Sequence, residues 1–169
     1  MTGRVRRVYD GRVLRLDLER VVLPNGHEIE LEIVRHPGGA AVVALDTDDR
    51  VCLLHQFRHA AGGWLWELPA GKLDPGEEPL ATARRELAEE AGVTAESWSS
   101  LGRVVSSPGV FTEVVHLFLA RGLAPVDAAR EHGECFEVAW VPLAEALHRA
   151  RFGDIVDGKT VIGLLRAGD

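Results

Sequence analysis

The sequence predicts an α/β fold in which helices cover both sides of a mixed β-sheet, preceded by a small antiparallel sheet. Short apolar and polar runs alternate near the N-terminus, and two nearly continuous apolar runs follow at Ala40–Leu45 and Val51–Phe57. Helical periodicity then begins at Pro79. Continuous apolar runs are typical of strands buried on both faces, which requires a layer of helices on each side. The sequence therefore favours an α/β/α sandwich.

The N-terminal stretch predicts three antiparallel strands joined by tight turns. Asp10-Gly11 and Asn25-Gly26 are turn signals, and short apolar and polar runs alternate on either side of each. A sheet of about thirty residues is too small to bury both of its faces. We therefore expect this sheet to pack against the main domain or against a second subunit.

The chain is accordingly divided into an N-terminal β-rich subdomain, residues 1–36, and a main domain, residues 37–169. The subdomain is expected to mediate a homodimer. In the main domain a helix is expected over Pro79–Ala91, because proline suits a first helical turn and Gly92 can adopt the left-handed conformation that ends helices. The patterns further predict strands at Trp98–Val105, Glu113–Ala120 and Phe136–Val141, and helices at Leu143–Ala150 and Lys159–Ala167.

Composition and charge argue against several classes of protein. Of the 169 residues, 46% are hydrophobic and 27% are charged, as is ordinary for a soluble globular domain. The formal net charge of −7 argues against a nucleic-acid-binding protein, which would neutralise phosphates with a basic face. No apolar segment suits a membrane span or a signal peptide, so we expect no membrane partner and a cytoplasmic location. The isolated Cys52 and Cys135 are expected to be buried and reduced.

A cluster of carboxylates on the predicted helix is the strongest chemical signal in the chain. Glu86 and Glu90 lie four residues apart on one face, and Glu89 flanks them. Like charges at this spacing destabilise a helix by roughly 0.2–0.5 kcal/mol per pair, so a cation would explain the cluster. Oxygen ligands without a His or Cys cluster favour Mg²⁺ or Mn²⁺ over Zn²⁺. An apolar stripe is expected to face away from these carboxylates, at Leu80, Ala83, Leu87 and Ala91.

The segment that contains these glutamates resembles the Nudix box. All of the fixed positions of that pattern are filled: Gly71, Glu77, Arg85, Glu86, Leu87, Glu89, Glu90, Gly92 and Val93. The resemblance implies an α/β/α sandwich fold and the hydrolysis of a nucleoside diphosphate linked to another moiety. It also implies divalent metal ions, Mg²⁺ or Mn²⁺, that activate water and neutralise the diphosphate.

Roles for individual residues follow from this resemblance. Glu86 and Glu90 would be the main metal ligands, and Glu89 would be a bridging or water-held ligand with a catalytic role. The backbone carbonyl of Ala70, just before the box, would supply a further oxygen. Arg85 would orient the site by pairing with carboxylates such as Glu77, although a plain surface ion pair is the alternative interpretation.

The substrate is suggested by features outside the box that resemble the ADP-ribose pyrophosphatase subgroup. Pro108 lies at the offset from Gly92 at which that subgroup has a proline, and the segment around Arg58 is also similar. Arg58 would bind a substrate phosphate through its planar fork of donors. Arg35, beside a glycine-rich loop, is a weaker candidate for the same task. ADP-ribose or a close nucleoside diphosphate sugar is therefore the expected substrate.

The resemblance also implies a general base on a loop near the last strand of the sheet. Glu131, Glu134 and Glu137 fall in this window, and solvated loop glutamates are the alternative interpretation. Glu134 fits best because it directly precedes the predicted strand, whereas Glu137 is expected within the strand. Glu131 remains the second choice.

Three other functions remain open on the sequence. The chain could cleave a nucleoside triphosphate, FAD or a dinucleotide in place of ADP-ribose. It could be a nucleotide-sensing module without catalysis, although the intact set of Glu86, Glu89 and Glu90 argues against this. Finally, the acidic helix could be merely a solvated face of an interaction domain, which the intact spacing of the box disfavours.

Overall fold

The computed structural model describes residues 4–128 and 135–168 of the chain. The chain forms two compact units. The first consists of Met1–Gly38 and Val105–Val114, and the second consists of Gly39–Val104 and Val115–Asp169. The division into a dimerisation subdomain and a hydrolase domain remains a prediction.

The first unit contains a three-stranded antiparallel sheet in the order β1-β2-β3, with β1 at Val5–Asp10, β2 at Arg15–Val22 and β3 at Glu28–Arg35. This confirms the three predicted strands. Gly26 has a φ of 85° in the turn between β2 and β3, a conformation that favours glycine. The segment 105–114 joins this unit where Phe111 forms a parallel bridge with Val34.

The second unit contains the other seven strands and the three α-helices of the described residues, except that Val105 of β8 and Val114 of β9 belong to the first unit. Their bounds are β4 Gly39–Ala44, β5 Arg50–Arg58, β6 Gly63–Glu67, β7 Ala70–Lys72, α1 Pro79–Ala91, β8 Val93–Val105, β9 Val114–Pro125, β10 Phe136–Pro142, α2 Leu143–Phe152 and α3 Gly158–Ala167. One sheet has the order β10-β5-β6, and the other has the order β7-β4-β9-β8. The second sheet is mixed, because β4 runs parallel to β9 and antiparallel to β7.

Strand β4 lies between two apolar clusters, as expected for a strand covered on both faces. Successive residues of a strand point to opposite faces. Ala41 and Val43 belong to a cluster that includes buried residues of α2 and α3. Ala40 and Val42 belong to a second cluster that includes buried residues of α1. The helices therefore form two layers on either side of the sheets, which confirms the predicted α/β/α sandwich.

Some elements differ from the prediction. Strands β6 and β7 were not predicted, and β8 begins earlier than expected, at Val93. The predicted burial of the thiols is right for Cys52 and wrong for Cys135, which is exposed just before β10. None of the helices within residues 4–128 and 135–168 combines the length and apolar character needed to cross a membrane.

Candidate active site

Helix α1 places two carboxylates on its packed side. The Glu86 and Glu90 residues are only 9% and 2% exposed, and they flank the buried Ala83 and Leu87. The expectation that the apolar stripe faces away from the carboxylates is therefore wrong. At helical spacing, Glu86 and Glu90 border the buried stripe instead of opposing it. Both carboxylates consequently lie against the sheet layer, where a charge requires compensation.

Arg85 connects the carboxylates of the box. Its Nη1 donates to Glu86 at 2.8 Å and to Glu89 at 3.0 Å, while its Nε and Nη2 donate to Glu77 at 3.2 and 3.1 Å. Nη2 also donates to the backbone carbonyl of Lys72 at 3.2 Å. The hydrogen bonds to Glu77, together with the neighbouring carboxylates, raise the pKa of Arg85. One guanidinium thus donates to three carboxylates and to the end of β7.

Glu77 is fixed by a set of donors from the loop and from α1. Besides Arg85, the hydroxyl of the buried Thr82 donates to Glu77 at 2.7 Å, and the backbone N–H of Asp74 donates at 3.2 Å. The Arg85 and Thr82 hydrogen bonds lower the pKa of Glu77 from 4.5 to about 2. The loop between β7 and α1 is therefore held to the helix through an ionised carboxylate.

Strand β7 brings the backbone close to these carboxylates. The Ala70 N–H donates to Glu90 at 2.8 Å. At Gly71 an added Cβ would lie 1.7 Å from Oε1 of Glu86, so only glycine leaves room for that carboxylate. The structure therefore brings Ala70, Gly71, Glu86 and Glu90 together, as the spacing of the box predicts.

The donor types in this cluster fit a hard divalent cation. Carboxylate and backbone oxygens are the ligands that Mg²⁺ and Mn²⁺ prefer. Within residues 4–128 and 135–168, no three His, Cys, Asp or Glu side chains are already gathered as a metal-binding group. Nη1 of Arg85 donates to oxygens of both Glu86 and Glu89. An ion bound to these glutamates would share their oxygens with Arg85.

Beside the box lies a buried ionic network whose importance was not recognised from the sequence. Glu67, at the end of β6, is 2% exposed and binds two cations. Arg58 donates to its two oxygens through Nε at 2.7 Å and Nη2 at 2.9 Å, and Lys159 Nζ lies 2.5 Å from Oε2. Burial opposes the ionisation of Glu67, but Arg58 and Lys159 outweigh it and lower its pKa. Glu67 and Lys159 are 92 residues apart in the sequence. Sequence patterns therefore do not predict that they are in contact.

The other predicted residues are distributed over both units. Arg35 and Pro108 belong to the first unit. Arg35 donates to the buried Asp17 at 3.4 Å and also pairs with Glu19, and Pro108 occupies an exposed turn. Glu137 lies in β10, as expected. The preferred general base, Glu134, and the second choice, Glu131, lie outside the described residues.

The fold and the site together define the class of this protein: an α/β/α enzyme domain in which a helix packed on the sheet presents clustered carboxylates bound by an arginine. Residues 35–159 match the NUDIX domain family. The chain belongs to this family.

Similar proteins cover almost all of the chain. The ADP-ribose pyrophosphatase of Bacillus subtilis (strain 168) is 40% identical over 93% of this chain and 86% of that protein. A protein of the same name from Mycobacterium tuberculosis (strain ATCC 25618 / H37Rv) is 38% identical over 94% of this chain and 78% of its own length. The methanol dehydrogenase activator of Bacillus methanolicus is 38% identical over 96% of this chain and 89% of that protein.

A solved structure described as an ADP compounds hydrolase has the same fold. It superimposes with a TM-score of 0.85 and covers 99% of this chain and 91% of its own. Its sequence identity to this chain is 22%, so this likeness concerns the fold.

Proposed function

We propose that this protein hydrolyses the diphosphate bond of ADP-ribose to AMP and ribose 5-phosphate, using Mg²⁺ or Mn²⁺. The observation that carries the proposal is the cluster in which Arg85 binds Glu77, Glu86 and Glu89 inside a NUDIX domain. The relatives from B. subtilis and M. tuberculosis that are named ADP-ribose pyrophosphatase support the choice of substrate. We also propose a cytoplasmic homodimer that acts on nucleoside diphosphate sugars and not on nucleic acids.

In this proposal the carbonyl of Ala70 and the carboxylates of Glu86, Glu89 and Glu90 would hold the metal. A bound ion supplies Lewis-acid chemistry, because it stabilises negative charge on the phosphate oxygens and makes water more acidic. Arg85 keeps two of the ligands, Glu86 and Glu89, in fixed orientations.

The remaining proposed roles concern the substrate and the proton. Arg58 binds a phosphate of the diphosphate, and Arg35 and Pro108 are further proposed substrate-binding residues. Glu134 accepts a proton from the attacking water. The water oxygen then bonds to phosphorus, the bridging P–O bond breaks, and the leaving phosphate oxygen retains the electron pair.

The substrate proposal is tested by incubating the purified protein with ADP-ribose and MgCl₂ or MnCl₂ and separating the products by chromatography. AMP and ribose 5-phosphate are expected, and EDTA should abolish their formation. A parallel panel contains GDP-mannose, FAD and a nucleoside triphosphate. Cleavage of one of these without cleavage of ADP-ribose would show that the proposed substrate is wrong.

The metal ligands are tested by Glu86→Gln and Glu90→Gln, which remove one charge each with little change of shape. Each variant should lower kcat at least about a hundredfold, because charge stabilisation of the reacting phosphate is lost. Glu78→Gln is the matched control, since Glu78 is an exposed residue before α1 whose side chain makes no capping hydrogen bond. Wild-type kcat in either of the first two variants would contradict the ligand assignment.

A further inference from the structure

Glu67 lies between two cations, one from β5 and one from α3. Its carboxylate is bound in a bidentate manner by Arg58, and Lys159 contacts the oxygen Oε2 that also accepts from Nη2 of Arg58. A buried carboxylate with a single cation forms a pair whose charges cancel. Lys159 shares the charge of Glu67 with Arg58, and it also pairs with Asp157. The hydrogen bonds to Glu67 also raise the pKa of Arg58, so its guanidinium stays charged.

The orientation of Arg58 is set by which edge of its guanidinium Glu67 occupies. The contacts use Nε and Nη2, so Nη1 points away from Glu67. The side chain of Arg58 is 42% exposed, whereas that of Glu67 is 3% exposed. One edge of Arg58 is therefore held by a buried carboxylate, while the side chain as a whole stays partly exposed. This arrangement suits a planar donor that must meet an anionic ligand in one orientation.

Lys159 is itself held in place by the start of α3. Its Nζ lies 3.0 Å from Asp157, which caps the helix by accepting from the Thr160 N–H at 3.1 Å and from the Thr160 hydroxyl at 2.6 Å. The Thr160 oxygen also accepts from the Leu68 N–H at 2.9 Å, directly after Glu67. The first turn of α3 and the end of β6 are thus joined by a continuous chain of hydrogen bonds, and Lys159 has little freedom to move.

The close packing of α3 is a further reason for this rigidity. An added Cβ at Gly163 would lie 2.7 Å from Leu68 Cδ1, so the helix packs closely against the residue that follows β6. Leu68 and Thr160 are both completely or almost completely buried. Lys159 therefore approaches Glu67 from a fixed element and not from a mobile loop.

We propose that Lys159 is a positioning residue for substrate binding: through Glu67 it fixes the orientation in which the guanidinium of Arg58 meets a diphosphate. This inference rests on the proposed function, because it takes Arg58 as a group that binds a substrate phosphate. Lys159 itself does not contact the substrate in this role. Its effect must consequently pass through Arg58, and this can be measured.

A double-mutant cycle on ADP-ribose hydrolysis tests the proposal. Lys159→Met should raise KM about tenfold and change kcat less than about threefold, as expected when uniform substrate binding is lost. Lys159→Arg should restore KM to within about threefold of the wild type, because it keeps the cation at Glu67. In an Arg58→Ala background, Lys159→Met should change KM less than about twofold, because the group through which it acts is absent.

Controls separate this role from a structural one. Arg151→Met removes an exposed cation from α2 and should leave KM and kcat unchanged. Thermal unfolding is recorded for each variant, and Lys159→Gln replaces Lys159→Met if the latter does not fold. Additive effects of Lys159→Met and Arg58→Ala on KM would overturn this inference and leave the proposed function intact. Absence of ADP-ribose hydrolysis by the wild type would overturn the proposed function and this inference with it.

Discussion

Gly71 has no side chain at the point where the carboxylate of Glu86 packs against β7. A methyl group there would overlap Oε1 of Glu86, since the two atoms would be 1.7 Å apart. The feature of Gly71 that matters for this geometry is therefore the empty volume that it leaves and not a charge. At the scale of single residues, the position of Glu86 depends on this volume as well as on the hydrogen bond from Arg85.

Gly71→Ala is predicted to displace the Glu86 carboxylate and to lower kcat at least about tenfold, because catalytic groups lose efficiency when they are misplaced by about 1 Å. Steady-state kinetics with ADP-ribose over a range of MgCl₂ concentrations measures the effect. Gly158→Ala is the matched control, since an added Cβ at Gly158 meets no atom within 4 Å. Equal kcat in the two variants would show that the carboxylate can move without cost.

Glu77 is predicted to make stability depend on pH in acid. Its pKa in the folded protein is about 2, against an ordinary value of 4.5, so folding favours its ionised form. This stabilisation is fully present above about pH 4.5 and is lost as the pH falls toward about 2. The difference in unfolding free energy between the wild type and Glu77→Gln should therefore shrink as the pH falls.

Urea unfolding at several pH values between about 2 and 6 measures this difference. Glu78→Gln serves as the control, because Glu78 is exposed and makes no capping hydrogen bond with its side chain. A difference between the wild type and Glu77→Gln that is independent of pH would contradict the role of the ionised carboxylate.

At the scale of elements, local chemistry explains which parts of the fold were predictable. Helix α1 has the predicted bounds, because Pro79 starts it and Gly92, with a φ of 66°, ends it. Strands β6 and β7 were missed because they are short and contain glycine, and because they are defined by pairing with β5 and β4. The predicted strand begins only at Trp98, whereas β8 begins at Val93, because residues 94–97 show no alternation of apolar and polar side chains. Pairing with distant segments therefore defines strands that local sequence patterns do not predict.

The two thiols are predicted to differ greatly in reactivity, because Cys52 is buried in the central strand β5 and Cys135 is not. Burial, together with the charge of Glu90, raises the pKa of Cys52 to about 12, whereas Cys135 is exposed. Since the thiolate is the reactive form, a disulfide exchange reagent should modify Cys135 in the folded protein and Cys52 only after unfolding. The absorbance of the thiol that the reagent releases measures the rate of both reactions. Cys135→Ser should remove the fast phase, and a fast phase that persists in it would contradict the prediction.

At the scale of the whole molecule, the box was predictable because its residues are contiguous and occupy one loop and one helix. The network around Glu67 was not, because Arg58, Glu67 and Lys159 come from β5, β6 and α3. Arg58 was identified from the sequence, but the carboxylate that orients it was not. The arrangement of the charged groups near the box therefore depends on the tertiary fold, whereas the arrangement of the proposed metal ligands depends mainly on helical spacing.

The N-terminal sheet is predicted to mediate a homodimer. Its strand β1 leaves large apolar side chains exposed, with Val5, Val8 and Tyr9 at 55%, 50% and 56%. A sheet this small gains stability by burying such a face against another surface. Light scattering at micromolar concentration should give twice the chain mass of 18.4 kDa.

Val8→Glu should shift this equilibrium toward the monomer and weaken the dimer at least about tenfold, because a carboxylate would be buried without a partner. Val156→Glu is the matched control: Val156 is 65% exposed and lies in the second unit, so its substitution should leave the mass unchanged. Far-UV circular dichroism verifies that both variants are folded. A wild-type protein that is monomeric, or a Val8→Glu variant that dimerises as tightly as the wild type, would contradict an interface formed by β1.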